Sequence, residues 1–328
     1  EIVVLIILLA LIFDFYNGMN DAANSIATIV STRVLTPFQA VAWAAFFNFV
    51  AAFAFGVSVA TTIGKGLVDV NIVDNFVIFS GIAGAIILTA SATHLGLPIS
   101  VSHAIIGGYG GAAITKAGIS AIIISGYTKI VIFIFLAPVI GLIGAYLFSI
   151  ATLWMVKNKS PRKVDKYFRK LQLVSAAVYS LSHGSNDAQK TIGIITIVLF
   201  TNKLLGETFY VPFWVIILSH SVIAMGTLFG GWKVIKTLGM RITKLTPFGG
   251  FSAETSAGLT IIGATMGGIP VSTTHTITGA IIGVGSIKGF SAVRWGVAKN
   301  ILWAWVLTIP LSAFFAMLTY LIATGIFG

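Results

Sequence analysis

The 328 residues contain no cysteine, which excludes disulfides, thiolate metal centres and cysteine nucleophiles. Charge is scarce too: 9% of residues are Asp, Glu, Lys or Arg, where a soluble domain carries about 25%. Acids are the rarer sign, nine against twenty Lys and Arg, for a net charge of +11. With 57% of the residues hydrophobic, a water-facing globule is excluded. At about 20 residues per crossing, the length accommodates about ten to twelve helical segments of a polytopic membrane protein. The cations lie mainly between apolar runs, so they suit a membrane surface better than a nucleic acid. The numbered sequence begins within an apolar run, Ile2 to Phe13, that lacks the basic start and cleavage site of a signal peptide.

A single long polar stretch, residues 157–170, holds Lys157, Lys159, Arg162, Lys163, Lys166, Arg169 and Lys170 against one acid, Asp165. The positive-inside rule places this connection in the cytoplasm. It separates residues 1–156 from 171–328, and the two halves resemble each other. Tyr16-Asn-Gly-Met-Asn-Asp-Ala-Ala-Asn-Ser25 returns 166 positions later as Ser182-His-Gly-Ser-Asn-Asp-Ala-Gln-Lys-Thr191. Gly96-Leu-Pro-Ile-Ser-Val-Ser-His103 returns 172 positions later as Gly268-Ile-Pro-Val-Ser-Thr-Thr-His275. Two blocks recurring in order at nearly one spacing indicate an internal duplication.

Loop charge suggests its hand. Lys233, Lys236, Arg241 and Lys244 make a basic connection in the second half, while the matching region near Lys65, Asp69 and Asp74 is not basic. Corresponding loops then lie on opposite sides, as in inverted-topology repeats, with both termini outside a cell membrane. The expected fold is all-α, with broken helices at Gly18 and Gly184. Each half reads as helices over 1–32, 37–63, 74–95, 97–115 and 119–155, repeated at 171–201, 211–232, 248–265, 269–286 and 290–327. The short Gly-rich segments 97–115 and 269–286 read as arms of re-entrant hairpins, pointing to a substrate site near the midplane.

Asp14, Asp21, Asp187 and Glu254 lie in or against apolar sequence, where an unpaired charge costs at least roughly 2.5–3.5 kcal/mol, so each needs a partner or a function. Asn17, Asn20, Asn24 and Ser25 surround Asp21; Ser185, Asn186, Gln189, Lys190 and Thr191 surround Asp187. These hard oxygen donors suit Na⁺ rather than zinc or copper, with Asn20, Asp21, Asn24, Asn186, Asp187, Gln189 and Glu254 as candidate ligands. Asp14, seven residues before Asp21, either shares its helical face or simply caps the helix. Pro98 and Pro270 open helices whose free N–H groups, beside Ser100, Ser102, Ser272, Thr273 and Thr274, favour an anion. His103 and His275 are further anion contacts or satisfied buried groups, and Lys190 pairs with Asp187 or with substrate. Three charges on Asp21, Asp187 and Glu254 and two on a dianion between them total −5, and Lys190 returns one unit, so cations must enter too. Moving a dianion inward against 100 mV costs roughly 4.6 kcal/mol, which two Na⁺ cancel and a third reverses.

The Asn-Asp blocks and the two Pro-x-Ser-x-Ser/Thr-His blocks closely resemble the inorganic phosphate transporter (PiT) family over essentially the whole chain. The resemblance implies phosphate uptake by Na⁺ or H⁺ symport, about twelve helical segments in an inverted-repeat fold, and a homodimer. It casts Asp21 and Asp187 as paired functional aspartates, Ser100 and Ser272 as hairpin hydroxyls, and Glu254 as the glutamate before the second hairpin. Asn48 stands where vertebrate members carry a second glutamate. Proton-coupled carriers of metal phosphate and sulfate permeases are also relatives, and an anion channel is the competing class. An enzyme is not expected, because the important groups come in symmetric pairs, and no cofactor beyond the coupling ion is implied.

Overall fold

The computed structural model describes residues 1–327, apart from the side chains of Met240 and Arg241. The part of the second basic connection expected at Arg241 therefore lies outside the described side chains. Twelve α-helices and no strand occur among the described residues. The first half holds α1 (Ile2–Ser31), α2 (Pro37–Val50), α3 (Ser58–Lys65), α4 (Asn75–Leu95), α5 (Val101–Ala117) and α6 (Ile124–Val156). The second holds α7 (Pro161–Thr201), α8 (Phe213–Phe229), α9 (Trp232–Arg241), α10 (Pro247–Met266), α11 (Thr273–Ser286) and α12 (Trp295–Phe327), in matching order.

Four helices, α1, α4, α6 and α12, are long and apolar enough to cross a bilayer; α2–α3 and α8–α9 qualify as pairs bent by 81° and 75°. Phe135 and Leu147 on α6, and Leu302 and Val306 on α12, leave apolar side chains on the outside, as lipid contact requires. Helix starts follow their sequence signals. Thr36 and Gln39 form a capping box ahead of Pro37 in α2, Asp74 caps α4 through Val77 N at 2.9 Å, and Thr246 caps α10. Gly96, at φ +76°, ends α4 and turns the chain towards α5; Gly268, at φ +66°, occupies the matching place before α11.

Side-chain contacts fix the relation of α1 to α7. Thr32 donates to Gln172 at 2.8 Å, Asp21 lies 3.9 Å from His183, and Asp14 lies beside Thr191. As numbers fall along α1 they rise along α7, so these two corresponding helices run antiparallel.

Three expectations are corrected. Both α1 and α7 continue unbroken through Gly18 and Gly184. Those glycines serve close helix contact instead: a Cβ on Gly18 would sit 2.1 Å from the Ile223 carbonyl oxygen, and one on Gly184 2.7 Å from that of Asn48. The bends fall in the segments 37–63 and 211–232, expected to be straight, after Phe53 and at Gly230. The basic stretch 157–170 is mostly helix, because α7 starts at Pro161, and Arg169 ties that start to Asp165 and to the Arg33 carbonyl. Likewise Lys233 and Lys236 lie on α9. Glycines of the hairpin arms also pack, Gly107 on the Ile309 backbone and Gly279 on that of Pro138, so they bring α5 and α11 against α12 and α6.

Candidate substrate and cation site

The turns preceding α5 and α11 meet in the interior. Ser100 and Ser272, both extended N-cap residues, accept from the backbone N–H of His103 and His275 at 3.2 Å each. Their oxygens thus cap the helices, leaving each hydroxyl proton available to another acceptor. Ser102 then donates to the Val271 carbonyl at 3.0 Å, and Thr274 donates to the Ile99 carbonyl at 3.2 Å. Each hairpin tip therefore holds the other through equivalent residues.

The two aspartates sit against this junction. The Thr273 hydroxyl lies 3.2 Å from both Asp21 Oδ2 and Asp187 Oδ2, a choice of acceptors for one proton. Thr274 adds a longer contact to Asp21 at 3.4 Å, and Asn24 donates to the hydroxyl oxygens of Thr274 and Thr273 at 2.9 and 3.3 Å. Lys190 bonds Asp187, and its ammonium also donates to Ser102 at 2.5 Å and the Val271 carbonyl at 3.2 Å. Asp21, Asp187, Lys190, Thr273 and Thr274 are all essentially inaccessible to solvent. The α7 aspartate therefore has a built-in counter-charge, whereas the α1 aspartate takes its hydrogen bonds from hydroxyls and has no ammonium beside it among the described residues.

His183 joins the pair without having been singled out from the sequence. Its Nε2 lies 3.2 Å from Asp187 and 3.9 Å from Asp21, and Asn48 Oδ1 faces its Nδ1 at 3.1 Å. Asn48 gives its own amide N–H to Thr227 at 2.9 Å, so its oxygen is turned to the ring and assigns a proton to Nδ1. Nε2 then faces carboxylates, and ligand atoms of Asp21, His183 and Asp187 lie within 4.8 Å of one another, close enough for one cation. The available signal was spacing: His183 precedes Asp187 by one helical turn.

The Asn residues of the two blocks take equivalent posts. Asn20 donates to Thr93 at 2.9 Å and Asn186 to Thr265 at 2.9 Å, tying each acidic helix to the end of the neighbouring hairpin arm. Asn186 Oδ1 also accepts from Val271 N at 3.3 Å. Four expected site residues lie elsewhere. Gln189 turns to α3, where its oxygen accepts the Val59 and Ala60 N–H groups at 2.9 and 3.2 Å, a cap for a helix start that lacks its own. Glu254 occupies a separate pocket, accepting from Thr28 at 2.5 Å, Gln172 at 3.0 Å and Ser175 at 2.5 Å. His103 and His275 pack on each other, ring centroids 4.6 Å apart, and His275 stacks on Trp305 at 3.7 Å. Among the described residues, neither ring hydrogen-bonds to the aspartates or to Lys190.

A cavity of about 450 Å³ opens beside the first tip, lined by Gly96, Leu97 and Pro98 and by Lys233 and Lys236. Its cations make it a fitting anteroom for an anion.

Residues 17–316 match the family model described as "Phosphate transporter family". A "Probable low-affinity inorganic phosphate transporter" of Rhizobium meliloti is 54% identical over 97% of this chain and 95% of its own length. Its namesake in Bacillus subtilis is 43% identical over 99% and 98%. Among solved structures, "The sodium-dependent phosphate transporter" superposes with a TM-score of 0.89 at 28% identity, covering 98% of this chain and 99% of the other.

Proposed function

This chain belongs to the phosphate transporter family, and we propose that it imports inorganic phosphate together with Na⁺ by alternating access between two inverted repeats, residues 1–156 and 171–328, joined by a cytoplasmic 157–170 segment. The observation that carries the reading is the reciprocal grip of the two hairpin tips directly over the Asp21–Asp187 pair. Ser100, Ser102, Ser272, Thr273 and Thr274, with the N–H groups of the two helix starts, supply donors to a tetrahedral oxyanion. Lys190 adds the one fixed positive charge at the junction. Phosphate entering between the tips replaces the contacts they make with each other, which makes substrate the link between the repeats.

Na⁺ supplies what the protein lacks. Asp187 is balanced by Lys190, but Asp21 is not, and His183 with both carboxylates offers ligand atoms at a cation's reach. A second cation suits Glu254, whose carboxylate is joined by the oxygens of Thr28 and Ser175. The sodium dependence named for the structural neighbour supports the choice of ion. The antiparallel course of α1 and α7 supports the inverted relation, and exchange of the two tips' contacts provides two equivalent states.

The test is uptake of labelled phosphate by the purified chain in vesicles with an imposed Na⁺ gradient. Uptake that saturates with phosphate and stops when the Na⁺ gradient is dissipated supports the proposal. Conduction that persists without the gradient contradicts it.

A further inference from the structure

Asp14 has no part in the site just described, yet it is fully buried midway along a membrane helix. Positions 14, 21 and 28 share one face of α1, each two turns or about 10.5 Å from the next. Thr28 meets Glu254, Asp21 meets Asp187, and Asp14 lies beside Thr191 of α7. Buried carboxylates thus stand at three levels along the α1–α7 contact.

The first level differs from the other two. Glu254 receives three hydrogen bonds, Asp187 an ammonium and Asp21 hydroxyls, but Asp14 has Asn17 and Thr191 beside it and no hydrogen bond of regular geometry to either carboxylate oxygen among the described residues. Asn17 stands one turn away with its amide oxygen and nitrogen both unpaired, and the Thr191 hydroxyl opposite is unpaired as well. All three residues are at most 1% exposed. An isolated carboxylate in such surroundings is costly, and a cation removes that cost while also using the amide and hydroxyl oxygens. One carboxylate with two neutral hard oxygens suits a monovalent ion; a divalent ion would require more charge.

Comparison of the repeats sharpens this. The 166-residue offset relates Asp14, Asn17 and Thr191 to Ser180, His183 and Ser25, a set with no acid. The buried acids of α1 are therefore two without a cation, and the buried acid of α7 is one with Lys190. We propose that Asp14, Asn17 and Thr191 form an additional Na⁺ site, present in the first repeat only, whose ion is carried with each phosphate. The site rests on the Na⁺-coupled reading above and raises the number of cations moved per phosphate by one.

The experiment uses the full chain purified into phosphatidylethanolamine–phosphatidylglycerol vesicles, measuring radiolabelled Na⁺ and phosphate entry together, with Na⁺-dependent thermal stabilisation in detergent as a binding readout. Asp14→Asn is expected to lower the Na⁺:phosphate ratio by one and to reduce the Na⁺-induced rise in melting temperature. Thr191→Val, which leaves every charge in place, is expected to raise the Na⁺ concentration for half-maximal uptake several-fold, while Ser180→Ala at the equivalent position changes neither quantity. An Asp14→Asn protein with the unaltered ratio and the unaltered Na⁺ response overturns the site. Should Asp14→Asn fail to fold, an unchanged Na⁺ requirement in Thr191→Val overturns it instead. Wild-type uptake indifferent to Na⁺ overturns the coupled reading and this site with it, whereas Na⁺-dependent wild-type uptake with unaffected variants overturns this site alone.

Discussion

Ser102 and Thr274, 172 positions apart in the chain, make the same contact in opposite directions. Ser102 donates to the Val271 carbonyl on the second hairpin at 3.0 Å and Thr274 to the Ile99 carbonyl on the first at 3.2 Å. Val271 and Ile99 are themselves 172 positions apart. A duplicated sequence thus becomes a two-sided clasp whose halves are bonded by hydroxyls rather than by shape alone. The same hydroxyls are free to rotate towards an oxyanion, so the clasp can exchange a protein acceptor for a ligand oxygen without moving the backbone far.

If these hydroxyls serve substrate, Ser102→Ala and Thr274→Ala each raise the KM for phosphate. Loss of one such hydrogen bond is worth about 1–2 kcal/mol, or roughly 5- to 30-fold. Thr274→Ser, which keeps the hydroxyl, stays near wild type. Initial-rate uptake across a phosphate series reads both effects.

The asymmetry of the aspartates predicts different phenotypes for matched substitutions. Asp21→Asn removes an unbalanced charge and leaves a folded protein without gradient-driven uptake. Asp187→Asn strands the Lys190 ammonium in the interior, at a cost of about 3–5 kcal/mol, and lowers the melting temperature in detergent. Combining it with Lys190→Met restores stability and not transport. Melting curves set beside uptake separate the two roles.

Much of this was readable in the residues, and for a physical reason. Acids are so rare here that an Asn-Asp block recurring in both halves, together with a Pro-opened hydroxyl block at nearly the same offset, stands out, and Asp21, Asp187, Ser102 and Thr274 do converge. Less legible was which glycines break a helix. Gly18 and Gly184 resemble breaks, but their missing side chains admit the backbones of Ile223 and Asn48. Spatial neighbours of polar groups were equally hidden: Gln189 points to α3, Glu254 to Thr28, Gln172 and Ser175, and His183 to both aspartates. Charge-rich stretches read as loops, yet the start of α7 and all of α9 are helical, since long basic side chains on an exposed helix face reach water as readily as from a loop.

Gly18→Ala and Gly279→Ala test the packing. Their Cβ atoms would lie 2.1 Å from the Ile223 carbonyl oxygen and 2.2 Å from that of Pro138. Forcing the helices apart costs about 1–3 kcal/mol, read as lower melting temperatures. Gly263→Ala, whose Cβ meets nothing within 4 Å, serves as the unaffected control.

Glu254 predicts an effect on the ion rather than on the anion. Glu254→Gln removes the charge; its amide oxygen still accepts from Thr28 and Gln172, while its NH2 donates to the Ser175 oxygen, whose own proton turns to the Gln172 carbonyl, so the chain folds. The Na⁺ concentration for half-maximal uptake rises, while the phosphate KM at saturating Na⁺ is little changed. A matrix of Na⁺ and phosphate concentrations distinguishes the two.

The central claim, that paired acidic helices load Na⁺ while paired hairpin tips hold phosphate, meets its most direct test in one vesicle experiment. Labelled phosphate uptake is followed under an imposed Na⁺ gradient, under a pH gradient without Na⁺, and with excess sulfate, for wild type and Asp21→Asn. The account predicts concentrative uptake with the Na⁺ gradient alone, indifference to sulfate, and none in Asp21→Asn. Equal uptake under the pH gradient, competition by sulfate, or normal accumulation by Asp21→Asn would contradict it.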